Sequence, residues 1–200
     1  MIRPYRPSDL PALRRICLVT GDAGGDATGL YSDDGLLPDI FLEPYVTLLP
    51  HLAWVAELDA RPVGYLVCAM DTWGLAQRWR VEWSPVFAAR HPRSAQQPGD
   101  AWLFDWGETA NGMLNDIENE FPAHFHIDLL PEAQGRGLGR ALMRQLGLAT
   151  VVAGAPGVHL VMDPANEPAL AFYRRLGFEE FGVDDDALIM GIAAEALAGV

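Results

Sequence analysis

The chain has 200 residues, half of them hydrophobic, which is enough to bury a sizeable core within one domain. Its formal net charge of −13 disfavours nucleic acid and anionic membranes as partners and favours a cationic substrate. Cys17 and Cys68 are far apart and show no CxxC spacing, so we expect neither a disulfide framework nor a metal site.

The first half of the chain is predicted to begin with a strand at residues 2–6 and a helix capped by Ser8 or Asp9. Residues 52–58 and 61–70 read as two apolar strands joined by a two-residue turn, which predicts an antiparallel hairpin. The start of the chain lacks the apolar stretch of a signal peptide, and no apolar run has membrane-spanning length. We therefore expect a cytoplasmic protein.

Residues 72–121 do not follow the pattern of a strand or helix cleanly and carry five of the six tryptophans. One interpretation is that these side chains form the core of two additional helices, because aromatic residues at helical spacing usually pack. The other is a lid over a substrate, with Glu82, Asp105 and Glu108 as its acidic groups. We treat the segment as an insertion in a single domain of residues 1–200.

The second half alternates strands and helices. Strands are predicted at 125–130, 157–162 and 187–192, and helices begin near Gly137 and Glu167, the second stopping at Gly177. Asp184, Asp185 and Asp186 read as a solvated turn without a function. This order predicts an α/β (α+β) fold in which a mixed sheet has helices on both faces.

The loop "QGRGLGRA" between the strand and the helix has the features of an anion site. A helix N-terminus offers unpaired backbone N–H groups, and glycines allow a bulky phosphate to approach closely. The dinucleotide fingerprint fails because Arg140 stands where its third glycine belongs, and the Gly-Lys-Ser/Thr of a P-loop is absent. The pattern that remains is Gln-x-x-Gly-x-Gly.

This pattern resembles the acetyl-CoA pyrophosphate loop of the GCN5-related N-acetyltransferases, and "NEPALAFYRRLGFEEFG" (166–182) resembles the second motif of that family. The stretches "GLYSDDGLL", "PVGYLVCAMDT", "VEWSPVF" and "HIDLLPE" are similar to the acetyltransferase-like domain of O-GlcNAcase and its free-standing bacterial relatives. The eukaryotic domain departs from the glycine pattern that this chain keeps, which favours acetyl-CoA binding here.

The resemblance implies a twisted, mostly antiparallel sheet and acetyl-CoA as co-substrate, with no metal. It places the cofactor on Leu129, Leu130, Gln134, Gly135, Arg136, Gly137, Leu138, Gly139, Arg140, Asn166 and Tyr173. Asn166 also fits the N-cap of the helix that follows it, and both roles are compatible.

Three candidate catalytic residues follow from strand alternation and from the family motif. His124, His126 and Asp128 share one face of their strand. Asp128 is the preferred base, and His126 is the alternative because an unperturbed histidine has a better-placed pKa. Tyr173 corresponds to the family's general acid.

We therefore expect direct acetyl transfer to an amine in a ternary complex. The acceptor would be a cationic small molecule or a basic peptide, and the protein a monomer or homodimer. The alternative is a non-catalytic acetyl-CoA sensor or interaction module. An acetyl-cysteine route is less attractive because both cysteines lie in predicted core elements.

Overall fold

The computed structural model describes residues 1–184 and 187–200 and contains one seven-stranded sheet. Its strands are β1 (Ile2–Pro4), β2 (Ala53–Leu58), β3 (Arg61–Ala69), β4 (Ala123–Leu129), β5 (Gly157–Met162), β6 (Glu179–Asp184) and β7 (Ala187–Ala193). They lie in the order β1-β2-β3-β4-β5-β7-β6, and only the β4–β5 pair is parallel among the described strands. The predicted mixed, mostly antiparallel sheet is confirmed. Of the turn expected at Asp184 to Asp186, the first residue ends β6 and the other two lie outside the described residues.

Helices cover both faces of the sheet, as predicted. They are α1 (Leu10–Val19), α2 (Leu36–Phe41), α3 (Glu43–Leu48), α4 (Thr72–Arg78), α5 (Ser84–Arg90), α6 (Ala101–Thr109), α7 (Leu138–Ala153), α8 (Glu167–Leu176) and α9 (Ala194–Ala198). In the described part of the chain, no helix is both long and apolar enough to cross a membrane. The cytoplasmic location stays a prediction.

The sheet separates two hydrophobic cores. Helices α1 to α6 pack on one face, where Leu13, Tyr45 and Trp79 are fully or almost fully buried. Helices α7, α8 and α9 pack on the other face around Leu142 and Met190. Burying a side chain of this size contributes about 1.5–3 kcal/mol, so both layers stabilise the sheet between them.

The hairpin of β2 and β3 forms as predicted. Its turn residues, Asp59 and Ala60, have φ angles of +49° and +60°. Two left-handed residues in succession match the right-handed twist of the flanking strands. The hairpin presents β3 to β4, which pairs with it from the Gly64–Leu129 pair to the Ala69–His124 pair.

Strands β4 and β5 pair over only two positions, Ala123 with Val158 and His124 with His159. Beyond His124 the two strands separate, although each keeps its other neighbour: β4 pairs with β3 as far as Leu129. The separation leaves a gap in the middle of the sheet, where β4 has no ladder pairing with β5 beyond His124 among the described residues.

The tryptophan-rich segment forms three helices, α4 to α6, rather than two, with a π-helical turn at Trp79–Trp83 between α4 and α5. Trp79 and Trp83 are buried, and their indole nitrogens donate to the carbonyl oxygens of Gly107 (2.9 Å) and Asp39 (2.8 Å). These two tryptophans fit the core interpretation of the segment.

A charge network around two buried carboxylates, Asp39 and Glu43, joins the helices on this face. Arg14 and Arg90 both bond to Asp39 and Glu43, with Arg90 at 3.1 and 2.9 Å, and His91 Nε2 lies 2.9 Å from Asp39. Burial opposes ionisation of Asp39, but the hydrogen bonds from His91 and Arg14 prevail and hold its pKa at about 2. The network fixes α2 and α3 against α1 and α5.

Candidate active site

A cleft of about 530 Å³ occupies the gap between β4 and β5. Strand β4 supplies the polar groups of its floor, and α1, α2, α6 and α8 supply the walls. Its lining includes Cys17, Thr20, Leu37, Phe41, Trp102, Trp106, Phe125, His126, Ile127, Asp128, Leu160, Met162, Asp163, Asn166 and Tyr173. Of the predicted catalytic residues, Asp128, His126 and Tyr173 all border this one cleft.

Asp128 is the carboxylate at the floor of the cleft. Its partner across the β3–β4 ladder is Tyr65, whose hydroxyl donates a hydrogen bond to Asp128 Oδ2. Burial raises the pKa of Asp128 to about 6, although Tyr65 and Thr20 act in the opposite direction. At neutral pH the group is therefore mostly ionised, yet it is a much stronger base than an exposed aspartate.

His126 lies two residues before Asp128 on the same face and is held by Tyr45. The Tyr45 hydroxyl lies 3.0 Å from His126 Nε2 and 2.7 Å from His124 Nε2. Burial lowers the pKa of His126 to about 4. Our expectation that His126 has the better-placed pKa is thus wrong, because burial penalises the charged form of both residues and reverses their order.

Tyr173 is 8% exposed and borders the cleft from α8. Burial, assisted by the negative charge of Asp128, raises the pKa of this phenol. Within the described residues its hydroxyl has no hydrogen-bond partner, and it is not among the buried polar atoms without a partner. A protonated hydroxyl is therefore available to the cleft at neutral pH.

Cys17 also borders the cleft from α1, although it is almost fully buried. Burial raises the pKa of this thiol, and the charge of Asp128 adds to the effect. The thiolate that a covalent route requires is strongly disfavoured. Cys68 is fully buried and its pKa is raised by the same cause.

The predicted phosphate loop connects β4 to α7. Gly135 and Gly137 have φ angles of +69° and +76°, and open space lies where a Cβ atom would stand on either. A Cβ on Gly139 would meet Leu129 and Phe172 at 3.2 Å. The first N–H groups of α7 have no intrahelical partner. The open space at these two glycines, beside free N–H donors, fits a pyrophosphate group.

Other predicted cofactor residues fix the shape of this loop. Gln134 Nε2 donates to Leu129 O at 3.2 Å, and Arg136 Nε donates to Glu132 O at 2.7 Å. Leu130 N bonds to Val63 O at 2.9 Å, which holds the end of β4 against β3. Leu138 is buried and Arg140 is exposed at the start of α7. These loop residues come after the cleft-lining residues of β4 in the sequence, but they are not among the residues that line the cleft.

Asn166 caps α8, since its Oδ1 accepts the backbone N–H of Ala169 at 3.1 Å. It also lines the cleft, and its amide nitrogen remains available as a donor near Gly24. The two roles expected of Asn166 are compatible in this geometry.

Sequence reasoning missed Tyr45, Tyr65 and the aromatic wall of the cleft. Phe41 lies 5.0 Å from Trp106 and 6.2 Å from Trp102, measured between ring centroids. The apolar residues of 40–49 indicate an amphipathic segment, but nothing in them reports contact with His124 and His126, about eighty positions later. Strand register and helix docking bring these residues together.

The acidic residues expected to face a substrate from the 72–121 segment bond to arginines instead. Glu82 pairs with Arg78 at 2.8 Å, and Arg93 binds Asp105 at 2.6 Å and Glu108 at 2.8 Å. None of these carboxylates is among the described residues that line the cleft. Trp102 and Trp106 are the members of the segment that reach it.

Comparison with known proteins agrees with this geometry. The sequence profile of the acetyltransferase (GNAT) domain matches residues 98–180. The crystal structure of SsHAT is 41% identical, with a TM-score of 0.91, and the match covers 97% of this chain and 98% of that one. The structure of yncA from Salmonella typhimurium with its cofactor acetyl-CoA shares the fold at 15% identity and a TM-score of 0.56, over 97% and 93% of the two chains.

Two curated relatives match at lower coverage. Rat (Rattus norvegicus) O-GlcNAcase is 22% identical over 95% of this chain, and mycothiol acetyltransferase from Acidothermus cellulolyticus is 32% identical over 45%. The matches span 22% and 30% of those proteins, so this chain corresponds to a fraction of each. Identity of 41% over nearly all of a solved relative, together with the family profile, establishes the family. The chain belongs to the GCN5-related N-acetyltransferase (GNAT) superfamily of acetyl-CoA-dependent acetyltransferases.

Proposed function

We propose that this protein transfers an acetyl group from acetyl-CoA directly to an amine within a ternary complex. The observation that carries the proposal is the joint presence, in one cleft, of a carboxylate with a pKa of about 6 and a protonated tyrosine. One group can take a proton and the other can give one, as amide formation from a thioester requires.

The cofactor would lie along the separated edge of β4. Acetyl-CoA supplies the acetyl thioester. The N–H groups of residues 135–140 would hold its pyrophosphate, with Arg136 and Arg140 adding positive charge. Backbone groups of Leu129 and the free amide nitrogen of Asn166 would bind the pantetheine arm. Leu130, whose N–H bonds to Val63 O, would hold the end of the strand in place.

Asp128 acts as the base in this proposal. A protonated amine must lose a proton before it attacks, and a carboxylate with a pKa near 6 accepts it more readily than an ordinary aspartate. Tyr65 keeps the carboxylate oriented toward the cleft. Tyr173 Oη delivers the proton that the departing sulfur requires. His126, at a pKa of about 4, is the weaker candidate base.

The acceptor is proposed to be a primary amine that arrives as a cation. Phe41, Trp102 and Trp106 offer ring faces to the cleft, and the described lining contains Asp128 and Asp163 but no lysine or arginine. Aromatic rings and carboxylates both attract ammonium groups, by about 0.5–2 kcal/mol for each cation–π contact. A cationic small molecule or a basic peptide meets this description.

We also propose that residues 1–200 act as one domain. The insertion at 72–121 packs into the same core as α1 to α3 and provides two aromatic side chains of the cleft, which supports its participation in acceptor binding. Whether it acts as a monomer or a homodimer stays a prediction.

The test is a screen for CoA release with n-butylamine, spermidine, an aminoglycoside and a lysine-rich peptide, accompanied by calorimetry with acetyl-CoA. We expect acetyl-CoA binding and amine-dependent CoA release, with the acetylated amine identified by mass spectrometry. Binding without any amine-dependent release would favour the sensor over the enzyme. Absence of binding would reject both.

A further inference from the structure

A chain of hydrogen bonds runs from His126, which lines the cleft, into the protein interior. Tyr45 Oη lies 3.0 Å from His126 Nε2 and 2.7 Å from His124 Nε2, and Thr72 Oγ1 lies 2.7 Å from His124 Nδ1. Thr72 Oγ1 is also 2.8 Å from the carbonyl oxygen of Pro122. Thr72 and Tyr45 are 1% exposed, and His124 is 5% exposed, so water does not compete for these bonds.

The carbonyl at the end of this chain of hydrogen bonds sets the direction of every bond. A carbonyl oxygen cannot donate, so the single hydroxyl proton of Thr72 is donated to Pro122 O. In the opposite arrangement, two oxygens would face each other at 2.8 Å without a proton between them. Thr72 must then accept from His124 Nδ1–H.

The remaining assignments follow from neutral histidines, which carry one N–H each. With its proton on Nδ1, His124 accepts at Nε2 from the Tyr45 hydroxyl. Tyr45 has then used its only proton, so its oxygen accepts from His126 Nε2–H. Both histidines are kept neutral by burial, which lowers the pKa of each.

The other nitrogen of His126 therefore carries a lone pair. Within the described residues, Nδ1 of His126 has no hydrogen-bond partner, and it is not among the buried polar atoms that lack one. Since His126 lines the cleft, this atom is open to a molecule bound there. Asp128 lies two residues along the same strand face, about 6–7 Å away by strand geometry.

We propose that Thr72, His124 and Tyr45 are positioning residues that hold His126 as its Nε2–H tautomer, so that Nδ1 accepts a hydrogen bond from the acceptor amine beside Asp128. The inference rests on the proposed acetyl transfer for the identity of the bound group. It gives His126 the role of orienting the nucleophile and leaves proton removal to Asp128.

The tautomers can be read directly from long-range ¹H–¹⁵N correlation spectra of the whole protein without substrates. We expect a protonated Nε2 for His126 and a protonated Nδ1 for His124. His159 is an internal reference, because its Nδ1 lies 2.6 Å from the carbonyl oxygen of Phe121 and must donate to it. Protonation of Nδ1 in His126 would overturn the proposal without any variant being made.

Tyr45→Phe and Thr72→Val each remove one hydroxyl and keep the shape of the side chain. We expect mixed tautomers at His126 in both variants and at His124 in Thr72→Val alone, because in Tyr45→Phe the Thr72 hydroxyl still accepts from His124 Nδ1–H. His159 should be unchanged. Thr72→Ser keeps the hydroxyl and should restore the parental spectrum. Thermal denaturation verifies that each variant is folded.

Steady-state kinetics distinguish a positioning role of Thr72 from a purely structural one. With an amine that the screen identifies, kcat/KM for the amine should fall about tenfold in Thr72→Val, which corresponds to one hydrogen bond. The KM for acetyl-CoA should not change, and Thr72→Ser should restore activity. Parental kcat/KM in folded Thr72→Val would overturn the positioning role. If no amine is acetylated, the proposed function fails, whereas the tautomer assignment is decided by the spectra alone.

Discussion

Burial shifts the pKa values of two residues of β4, Asp128 and His126, in opposite directions. It raises the pKa of Asp128 to about 6 and lowers that of His126 to about 4, because in both cases the charged form loses hydration. Because Asp128 has the higher pKa of the two, it is the stronger base, although the pKa of an isolated histidine exceeds that of an isolated aspartate. The same environment keeps Tyr173 protonated.

A pH–rate profile follows from the value for Asp128. We expect kcat/KM to rise with pH through a limb centred near 6, as the carboxylate ionises. Asp128→Asn should lose this limb, and its kcat should fall by roughly two orders of magnitude. Acetyl-CoA affinity, measured by calorimetry, should hardly change. Near-parental kcat in this variant, with loss confined to a His126 variant, would transfer the base role to His126.

Tyr173→Phe tests the acid separately. Removal of the hydroxyl should lower kcat by roughly two orders of magnitude and leave the acidic limb of the profile in place. The ring would still pack against Phe125 and Phe178, so the fold should be kept. Steady-state kinetics with calorimetry provide the test, and a kcat within about threefold of the parent would exclude a general acid at this position.

The raised pKa of Asp128 also means that its buried charge lowers the free energy of unfolding above pH 6. The folded value of about 6 exceeds the unfolded value of about 4, so this group favours folding below pH 4 and loses that contribution as pH rises through 6. Above pH 6 a buried charge remains. We expect Asp128→Asn to be more stable than the parent at pH 7.5 by roughly 1–3 kcal/mol, with the difference shrinking toward pH 4. Urea unfolding at both pH values would contradict this if the difference did not shrink.

At the scale of single elements, α7 has a glycine with positive φ at each end, so a substitution at one end can serve as the control for the other. Gly137 precedes the helix with φ of +76°, and Gly154 follows it with φ of +73°, both with open space at the Cβ position. A β-branched residue is strained equally at either end, by roughly 1–2 kcal/mol. Only Gly137 lies in the proposed phosphate loop.

Gly137→Val should therefore abolish acetyl-CoA binding, whereas Gly154→Val should bind normally at similar stability. Calorimetry and thermal denaturation of both variants provide the measurement. Unchanged affinity in folded Gly137→Val, or equal loss in both variants, would remove the loop from the cofactor site.

Elements with strong local signals were predictable, and those defined by distant contacts were not. Asp59 and Ala60 separate two apolar runs, and Gly177 ends a periodic helix, so the hairpin and α8 follow from the sequence alone. Strand β6 carries Glu179, Glu180 and Gly182, which are poor strand formers, and it forms because β7 offers a partner at the edge.

At the scale of the whole molecule, the net charge of −13 should attract cationic acceptors. Raising ionic strength from about 0.05 M to about 0.5 M shortens the screening length severalfold. The KM of spermidine should then rise more than that of n-butylamine, because its charge is larger. The comparison requires that both amines are substrates. Equal salt responses would indicate that only contacts inside the cleft matter.

The parts of the site that the sequence could supply are those within one strand or one loop. Alternation places His126 and Asp128 together, and the glycine pattern locates the anion loop. The hydrogen bond from Tyr65 to Asp128 depends on the β3–β4 register, and the place of Tyr45 depends on how α3 docks. Neither pairing leaves a local signature.

The sheet separates two helical layers, and in the proposed complex each layer would serve a different substrate. The acceptor would contact mainly α1 to α6 on one face, while the proposed cofactor loop leads into α7, which packs with α8 on the other. Substitutions in the first layer can accumulate over evolutionary time without altering the packing that holds the loop. Descendants of such a chain could acquire new acceptors while their acetyl donor stays the same.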